Sequence, residues 1–300
     1  MVTALVLVRY GELALKSPPV RREFEAALRR NIVQQFLHEG IELRLRSDRG
    51  HLYAEVGDVG RGVRALCRVF GVTSVSVAYE VATDRQVLRE TLLGLADPRL
   101  AAGASFAVRA RRTGSHPFTS QELARDLGSD VLERFADRQL RVDLGHPDVE
   151  LFVEVRGPRS YLYFDRSAGP GGLPLGVAGR LVAVVDGERG ALGAYLMMKR
   201  GCRTLLACPP ASGELFGSVL LRFDPAATVA ELAGAAVDWT ARLKAMTQEV
   251  RADGVVLPLR VDDYPSARAA WGETVVFSPT VGLSDAEVHA RWGEVVALAS

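Results

Sequence analysis

Three arginines near the middle of the chain, Arg109, Arg111 and Arg112, have the type and spacing to bind phosphate. Alternate residues of a strand share one face, so Arg109 and Arg111 project together, and Arg112 opens a loop before a predicted helix. Guanidinium groups beside the free N–H groups of a helix N-terminus suit phosphate oxygens. The residues alone favour a plainer interpretation, in which these arginines pair with Asp126 or Glu122.

Four other residues are candidates for the same surface. Phe118 follows the arginines and could stack on an unpaired base, although a core position is the more common role of a phenylalanine. Lys16, Arg21 and Arg22 lie at the start of the first predicted helix and could extend the surface. The alternative for the helix arginines is a solvated helix face.

A second stretch, from Gly169 to Gly201, has the order strand, glycine-containing turn, helix. In α/β folds this order presents a helix N-terminus and free backbone N–H groups to a phosphate. The turn reads Asp186, Gly187, Glu188, Arg189, Gly190, Ala191. Asp186 and Glu188 place negative charge where a polyphosphate would bind, and two carboxylates repel a triphosphate unless a metal intervenes.

Nothing else in the sequence indicates catalysis. The five histidines show no metal-ligand spacing, and no serine occupies a nucleophile elbow. The pair Asp262-Asp263 could bind Mg²⁺, but a solvated turn is the more common role. Cys67, Cys202 and Cys208 form no CxxC pair and lie in or beside apolar runs, which predicts buried, reduced thiols. The sequence therefore predicts no catalytic residue and no metal site.

Composition limits the class of protein. The chain has 300 residues, of which 48% are hydrophobic, enough for two or three domains with real cores. Residues 1–166 carry 25 Lys and Arg against 22 Asp and Glu, whereas residues 167–300 carry 12 against 14. The basic excess at the front modestly supports a polyanionic partner there. No run approaches the ~20 apolar residues of a membrane span, so we expect a cytoplasmic protein without a membrane partner.

The predicted elements form three modules. A strand, a helix from Pro18 to a cap at Gly40, and a hairpin of Ile41–Arg46 and His51–Val56 predict a compact module ending near residue 57. The second module, to residue 166, mixes strands and helices; its strand Ser105–Ala110 precedes a helix that Thr119 and Glu122 begin with a capping box.

The third module, from residue 167 onward, alternates strands with helices. Arg203–Cys208 is a predicted strand, Thr228–Val250 a long helix, and Gly254–Arg260 an edge-like strand because it contains Pro258. Ser284 and Glu287 form a capping box for a last helix. This alternation predicts a parallel, doubly wound sheet of reduced size.

Several motifs resemble, in order along the chain, those of the tRNA 4-thiouridine synthetases, or tRNA sulfurtransferases. They are RYGELALK at 9–16, FAVRARR at 106–112, HPFTSQE at 116–122, GGLPLGVAGR at 171–180 and GAYLMMKRG at 193–201. The motifs at 106–112 and 116–122 resemble those of a THUMP domain, an α/β RNA-binding unit. The resemblance implies an α/β and α+β multidomain fold: a ferredoxin-like module at 1–57, a THUMP domain at 58–166 and a reduced Rossmann-like, adenylation-type domain at 167–300.

The resemblance also implies a partner, the acceptor-stem region of tRNA. On that basis we expect Arg109, Arg111 and Arg112 to contact RNA phosphates. Phe118 would then stack on a 3′ base. The side chains that would extend this surface are Lys16, Arg21 and Arg22.

The turn at 186–191 departs from the family. There the corresponding loop reads approximately Ser-Gly-Gly-x-Asp-Ser, a PP-loop that grips the pyrophosphate of ATP. Here the serines are absent and the segment is one residue short. Neither a later Thr-Thr-Gly-Asp-type nucleotide segment nor a later acceptor cysteine follows Cys208. The resemblance with this departure predicts a degenerate PP-loop in a tRNA-binding protein without adenylation activity and without a cofactor.

Two alternatives remain open. The first is a divergent ATP-dependent tRNA sulfurtransferase, which would use ATP and Mg²⁺, place pyrophosphate at Gly187 and Gly190, and receive sulfur through Cys202, Cys208 or a partner protein. The second is a regulatory subunit that pairs with a complete catalytic paralogue. The family often forms homodimers, which the sequence does not address.

Overall fold

The computed structural model describes residues 3–11, 17–48, 51–234 and 239–300. The helices are α1 (Pro18–Glu39), α2 (Val59–Leu66), α3 (Arg85–Ala96), α4 (Ser120–Arg134), α5 (Glu188–Lys199), α6 (Pro210–Ser212), α7 (Ser218–Leu221), α8 (Trp239–Glu249), α9 (Tyr264–Trp271) and α10 (Asp285–Ala299). The front strands are β1 (Thr3–Tyr10), β2 (Leu43–Asp48), β3 (His51–Val56), β4 (Val72–Ala82), β5 (Ser105–Thr113), β6 (Arg141–Val142), β7 (Val149–Arg156), β8 (Arg159–Tyr163) and β9 (Ser167–Ala168). The back strands are β10 (Arg180–Val184), β11 (Arg203–Cys208), β12 (Thr228–Glu231), β13 (Gly254–Val256) and β14 (Val276–Phe277).

The front strands form one sheet in the order β2-β3-β1-β4-β8-β7-β5-β6, with β9 paired to β4. The long strand β4 pairs antiparallel with both β1 and β8. It therefore joins the half of the sheet predicted to be ferredoxin-like to the half predicted to be a THUMP domain. Strand β5 runs parallel to β7 and β6, so a crossover through α4 links β5 to its neighbours.

Helices cover one face of this sheet. Leu28 and Ile32 of α1 pack with Val6 and Val8 of β1, and α3 and α4 pack with alternate residues of β5, β7 and β8 in a second cluster. The other face, which we call the arginine face, carries the remaining alternate residues. It bears a buried aliphatic and aromatic layer bordered by arginines: Leu5, Leu7, Arg9, Tyr53, Tyr161, Tyr163, Phe152, Glu154, Arg156, Arg109 and Arg111.

Helix α1 has the predicted bounds. Pro18 begins it, where a missing backbone N–H costs nothing, although the side chain of Ser17 makes no capping bond. Gly40 ends it at φ 61°, a left-handed conformation that favours glycine. The first core extends past residue 57, because Ala65 and Leu66 of α2 pack with α1. The domain boundaries near 57 and 166 stay predictions.

The back strands form an all-parallel sheet in the order β12-β11-β10-β13-β14. One face packs on α5 and α10, through residues such as Leu192 and Trp292. The other face packs on α8 and α9, through Leu243 and Trp271. Helices on both faces of a parallel sheet define the predicted Rossmann-like α/β architecture, which is confirmed.

Two element predictions in the back domain are wrong. Thr228–Glu231 is the edge strand β12 rather than the start of a long helix, because it pairs with β11 and Leu232 N–H donates to the Cys208 carbonyl. The helix there is the shorter α8. Strand β13 ends at Val256, before Pro258, and lies between β10 and β14 rather than at an edge.

Polar contacts tie α1 to the back domain. Asn31 Nδ2 donates to the Leu175 carbonyl at 3.2 Å, and Arg203 Nη2 donates to Asn31 Oδ1 at 3.0 Å. The Arg203 guanidinium also binds Asp224 at 2.5 Å, whose side chain is 1% exposed. Through these contacts the front helix layer and the back domain form one packed unit. None of the helices in the described ranges is long and apolar enough to span a bilayer.

Candidate phosphate-binding sites

Strand β5 is longer than predicted, and this changes the place of one arginine. Its pairing with β7 continues to Thr113, opposite Arg156. Arg112 is therefore a strand residue rather than the first residue of a loop, which corrects the sequence interpretation. Arg109 and Arg111 do share one face, in register with Phe152 and Glu154 of β7.

The three arginines differ in their contacts. Arg109 Nε binds Glu150 at 2.9 Å and its Nη2 donates to the Leu144 carbonyl at 2.7 Å. Arg112 Nη1 donates to the Gly114 carbonyl at 2.9 Å. Arg111 makes no hydrogen bond or ion pair with any described residue. Its guanidinium is thus the most available of the three for an external anion.

The carboxylates that the plainer interpretation offered to these arginines have other partners. Asp126 binds Arg85 at 2.6 Å. Glu122 accepts from the Thr119 backbone N–H at 2.7 Å, and Thr119 Oγ1 accepts from the Glu122 N–H, the predicted capping box of α4. Arg109 is paired, but with Glu150. The predicted pairing of these arginines with Asp126 or Glu122 is therefore not what the structure shows.

Phe118 is a core residue. It packs in the cluster between the sheet and α3 and α4 and is 8% exposed. The His116 ring stacks on it with centroids 5.6 Å apart, and the Arg85 guanidinium carbon lies 5.5 Å from its centroid. A base would therefore find little free surface on this ring.

The other basic candidates lie apart from Arg111. Lys16 is outside the described residues. Arg21 and Arg22 are exposed in the first turn of α1. That helix packs on the helix-covered side of the sheet, so both lie across the sheet from Arg109 and Arg111.

A cavity of about 580 Å³ lies beside Arg111. Its charged and polar lining comes from both halves of the front sheet: Arg9, His51, Arg111, Arg112, Thr113, Ser120, Glu154 and Arg156. Sequence analysis missed Arg9, His51, Glu154 and Arg156 as site residues. Alternation along β7 could have placed Glu154 and Arg156 on one face of the strand. Only the order of the strands in the sheet shows that Arg9 lies beside them.

Glu154 organises this cavity. Its Oε1 accepts from Tyr163 Oη at 2.6 Å and lies 3.3 Å from Arg9 Nη2, and its Oε2 accepts from Arg156 Nη2 at 2.6 Å. Burial raises the pKa of this carboxyl, but the hydrogen bonds from Arg156 and Tyr163 and the charges of both arginines outweigh burial. The net result lowers the pKa of Glu154 to about 2.

Arginine–aromatic contacts continue the surface beyond the cavity. The Arg9 guanidinium carbon lies 4.6 Å from the Tyr163 centroid, and that of Arg166 lies 4.5 Å from the Phe152 centroid. Such cation–π contacts fix the guanidinium planes over the rings. The arginine face is therefore positively charged and held in place by its own aromatic layer.

The loop at 186–191 connects β10 to α5. Gly187 precedes the helix in an extended conformation, φ 178°. A Cβ on Gly190 would lie 2.4 Å from the Val184 carbonyl oxygen. Gly190 therefore allows the close approach of α5 to β10 whether or not a ligand binds.

Charged side chains of this loop face α10 or solvent. Asp186 is exposed. A Glu188 carboxylate oxygen lies 3.0 Å from His289 Nδ1. Arg189 donates to the carbonyls of Thr280 and Leu283 at 2.7 and 2.8 Å and binds Asp285 at 2.9 Å. Arg189 is thus committed to the segment before α10, and Asp186 lies exposed at the loop although desolvation raises the pKa of its carboxyl.

The two cysteines of the back domain are buried. Burial raises the pKa of the Cys208 thiol to about 11, so the thiol is protonated near neutral pH and is a poor nucleophile. Within the ranges that the structure covers, no three His, Cys, Asp or Glu side chains come together as a metal site.

Two family models match the front of the chain. The model described as the ThiI ferredoxin-like domain covers residues 5–76, and the THUMP domain model covers residues 82–165. The two matches meet at strand β4, which runs from the first half of the sheet into the second.

Curated relatives match about two thirds of the chain or slightly more. A "Probable tRNA sulfurtransferase" of Methanosarcina mazei is 40% identical over 203 residues, 66% of this chain and 50% of the relative. The corresponding protein of Methanothermobacter thermautotrophicus is 39% identical over 207 residues, 67% and 51%. A tRNA sulfurtransferase of Pyrobaculum aerophilum is 37% identical over 222 residues, 73% and 43%. The chain spans about half the length of these relatives.

Two solved structures share the fold. The crystal structure of PH1313 from Pyrococcus horikoshii has a TM-score of 0.83 at 26% identity, covering 98% of this chain and 99% of that one. A 4-thiouridine synthetase, solved with RNA and bound ATP, has a TM-score of 0.80 at 20% identity, covering 99% of this chain and 86% of the other. Both extend through the back domain as well as the front.

Proposed function

Because the chain is a THUMP-domain protein related to the tRNA sulfurtransferases, as its motifs predicted, we propose that it binds tRNA through the arginine face, at the acceptor-stem region, and does not adenylate. The main observation is that Arg111 projects from β5 beside a cavity lined by further arginines and has no hydrogen-bond or ion-pair partner among the described residues. A free guanidinium in such a setting favours a phosphate oxygen.

Three further observations support the RNA partner. A THUMP domain covers residues 82–165. The front 166 residues carry the basic excess of the chain. A protein of the same fold was solved in complex with RNA.

The loop at 186–191 supports the absence of adenylation. Adenylation needs preorganised donors around the pyrophosphate leaving group. In this loop Asp186 is an exposed negative charge, Glu188 pairs with His289, and the cation of Arg189 is bound to Thr280, Leu283 and Asp285. Cys208, with its raised pKa, is also a poor acceptor of sulfur.

Two measurements on the full chain test this function. We expect tRNA binding, followed by fluorescence anisotropy, to weaken steeply with salt because each phosphate contact releases counterions. We expect calorimetry to show no heat of ATP binding, with or without bound tRNA. Absence of tRNA binding would contradict the RNA partner. Detectable ATP binding with tRNA-dependent pyrophosphate release would instead identify a divergent sulfurtransferase.

A further inference from the structure

One edge of the back sheet carries a small cavity. Strand β14 ends the strand order of that sheet, and a cavity of about 160 Å³, which we call the α9 cavity, lies between β14 and α9. We propose that the α9 cavity and the edge of β14 dock an extended segment of a partner protein, with one large apolar side chain in the cavity and lysine or arginine on either side of it. The site lies apart from the arginine face, and the inference is independent of the proposed function.

The α9 cavity has the size of one side chain. Its lining side chains are mainly apolar or aromatic: Leu259, Tyr264, Ala267, Trp271, Thr274 and Val276. Its volume of about 160 Å³ is well below the roughly 300–1,000 Å³ of pockets that hold whole small molecules. It is close to the roughly 150 Å³ of an apolar cavity that holds one benzene ring. A side chain as large as leucine or phenylalanine would fill it, as buried anchors do at protein interfaces.

The backbone of β14 can pair with a further strand on its outer side. Val255 N–H donates to the Val275 carbonyl and Leu257 N–H donates to the Phe277 carbonyl, both at 2.9 Å. In a parallel pair, alternate residues of a strand face the same neighbour, so the N–H and carbonyl of Val276 point away from β13. Neither group has a hydrogen-bond partner in the part of the chain that the structure describes. An added strand would satisfy both.

Exposed apolar side chains lie on both faces of this edge. Tyr264, Val261 and Val275 are between 47% and 64% exposed. Val276 packs with α8 and α9, whereas Phe277 packs with α5 and α10, so alternation places Val275 on the face opposite the cavity. An extended segment along β14 would put one side chain into the α9 cavity and its neighbours against Val275. The two apolar faces therefore favour a strand over a helix as the occupant.

The charges around α9 favour a basic segment. Three exposed carboxylates lie at the two ends of this helix: Asp262, Asp263 and Glu273. Two nearby cations are already used, since Arg260 is paired with Asp285 and Lys244 Nζ donates to the Ala270 carbonyl at 2.8 Å. The described side chains at the rim thus present an excess of negative charge. This charge attracts lysine or arginine beside the anchoring residue and repels the phosphates of a nucleic acid.

The test titrates the full chain into a labelled peptide, Lys-Val-Phe-Val-Lys with blocked ends, and follows binding by fluorescence anisotropy. Two matched peptides replace the central Phe by Ala or both Lys by Glu. Ala267→Leu fills the cavity, with its fold checked by thermal unfolding, and Asp262→Asn with Glu273→Gln removes rim charge. The control is Glu214→Gln with Glu231→Gln, which removes two exposed carboxylates at β12, the opposite edge of the sheet.

We expect the Ala peptide to bind wild type about tenfold more weakly than the Phe peptide, because the buried ring is lost. Ala267→Leu should weaken binding of the Phe peptide by about the same factor. The rim variant should weaken it about threefold at low salt and not at high salt, because exposed charges are screened. The Glu peptide should bind more weakly than either, and the β12 control should match wild type.

Three results would overturn the proposal. The first is no binding of the Phe peptide at millimolar protein. The second is equal binding of the Phe and Ala peptides, or an equal loss in the β12 control and the rim variant. The third is self-association of wild type in analytical ultracentrifugation that Ala267→Leu abolishes, which would make a second copy of the chain the occupant instead of a partner protein.

Discussion

At the scale of single residues, the arginine face depends on which guanidinium groups the protein already uses. Arg109 is bound to Glu150 and to the Leu144 carbonyl, whereas Arg111 has no hydrogen bond or ion pair within the part of the chain that the structure describes. Binding RNA through Arg109 would first require breaking an ion pair. Arginine count along β5 is therefore a poor guide to affinity, and the availability of each group decides its role.

Glu154 gives a residue-scale prediction for stability. Its pKa is lowered to about 2 from the ordinary 4.5, so its stabilisation is complete above pH 4.5 and is lost as the pH falls toward 2. The shift corresponds to about 3 kcal/mol. We expect Glu154→Gln to destabilise the chain by about that amount at pH 7 and by less at pH 3, as measured by urea unfolding.

The control for this prediction is Glu133→Gln, whose side chain is 79% exposed and 4.0 Å from Arg89. Exposed pairs contribute little, so this variant should follow wild type at both pH values. A gap between Glu154→Gln and wild type that stays constant from pH 7 to pH 3 would contradict the assigned ionisation of Glu154.

At the scale of elements, the loop before α5 is held by one side chain. Arg189 is 11% exposed and donates to Thr280, Leu283 and Asp285, whereas Arg260 binds the same Asp285 but is 60% exposed. We expect Arg189→Ala to destabilise the chain by about 2 kcal/mol because two partly buried carbonyls lose their donor. Arg260→Ala should change stability little.

Thermal unfolding of the two variants side by side measures this difference. Both variants remove an arginine partner of Asp285, so a loss of stability common to both would come from the ion pairs of Asp285. Equal losses in the two variants would therefore show that the carbonyl contacts of Arg189 contribute nothing. If the chain does not bind ATP, as proposed, Arg189→Ala should not bind it either, because the Asp186 carboxylate is still in the loop.

Local signals predicted many of these elements. The capping boxes at Thr119–Glu122 and Ser284–Glu287 and the start of α1 at Pro18 involve neighbours within a few residues. Strand β12 was missed because it is a mostly exposed edge strand defined by pairing with β11. Its last contact, through Leu232, fitted a helical spacing equally well.

In the candidate site too, local sequence predicted some features, and others depend on contacts between distant strands. Alternation alone placed Arg109 and Arg111 on one face of β5, as the structure confirms. Arg9 and Glu154 are 145 residues apart, and only the order of strands brings them together. Sequence periodicity carries no register between distant strands, so the cavity could not be predicted from it.

At the scale of the whole molecule, Arg203 links the back domain to α1, because it donates to Asn31 of α1 and pairs with the buried Asp224. Burial raises the pKa of Asp224 even with Arg203 beside it. We expect Arg203→Ala to destabilise the chain by about 3 kcal/mol at pH 7, because it leaves a buried carboxylate without its partner. Scanning calorimetry would show the loss as a lower melting temperature or as two separate unfolding transitions.

Adding Asp224→Asn to Arg203→Ala supplies the control. The double variant carries no buried charge, so it should recover part of the lost stability, and the non-additivity measures the coupling of the pair. A double variant that is less stable than Arg203→Ala would argue against charge burial as the cause.

The contacts of α1 also have a geometric consequence. Asn31 contacts the Leu175 carbonyl and Arg203, while the same helix packs on β1, the strand that carries Arg9. The segment after α2 adds to this link, since Phe70 packs in the core of the back domain and Arg68 Nη1 donates to the Ala299 carbonyl. These contacts together fix the position of the front sheet relative to the loop before α5. An RNA bound to the arginine face, as proposed, would therefore keep a fixed distance from the loop before α5.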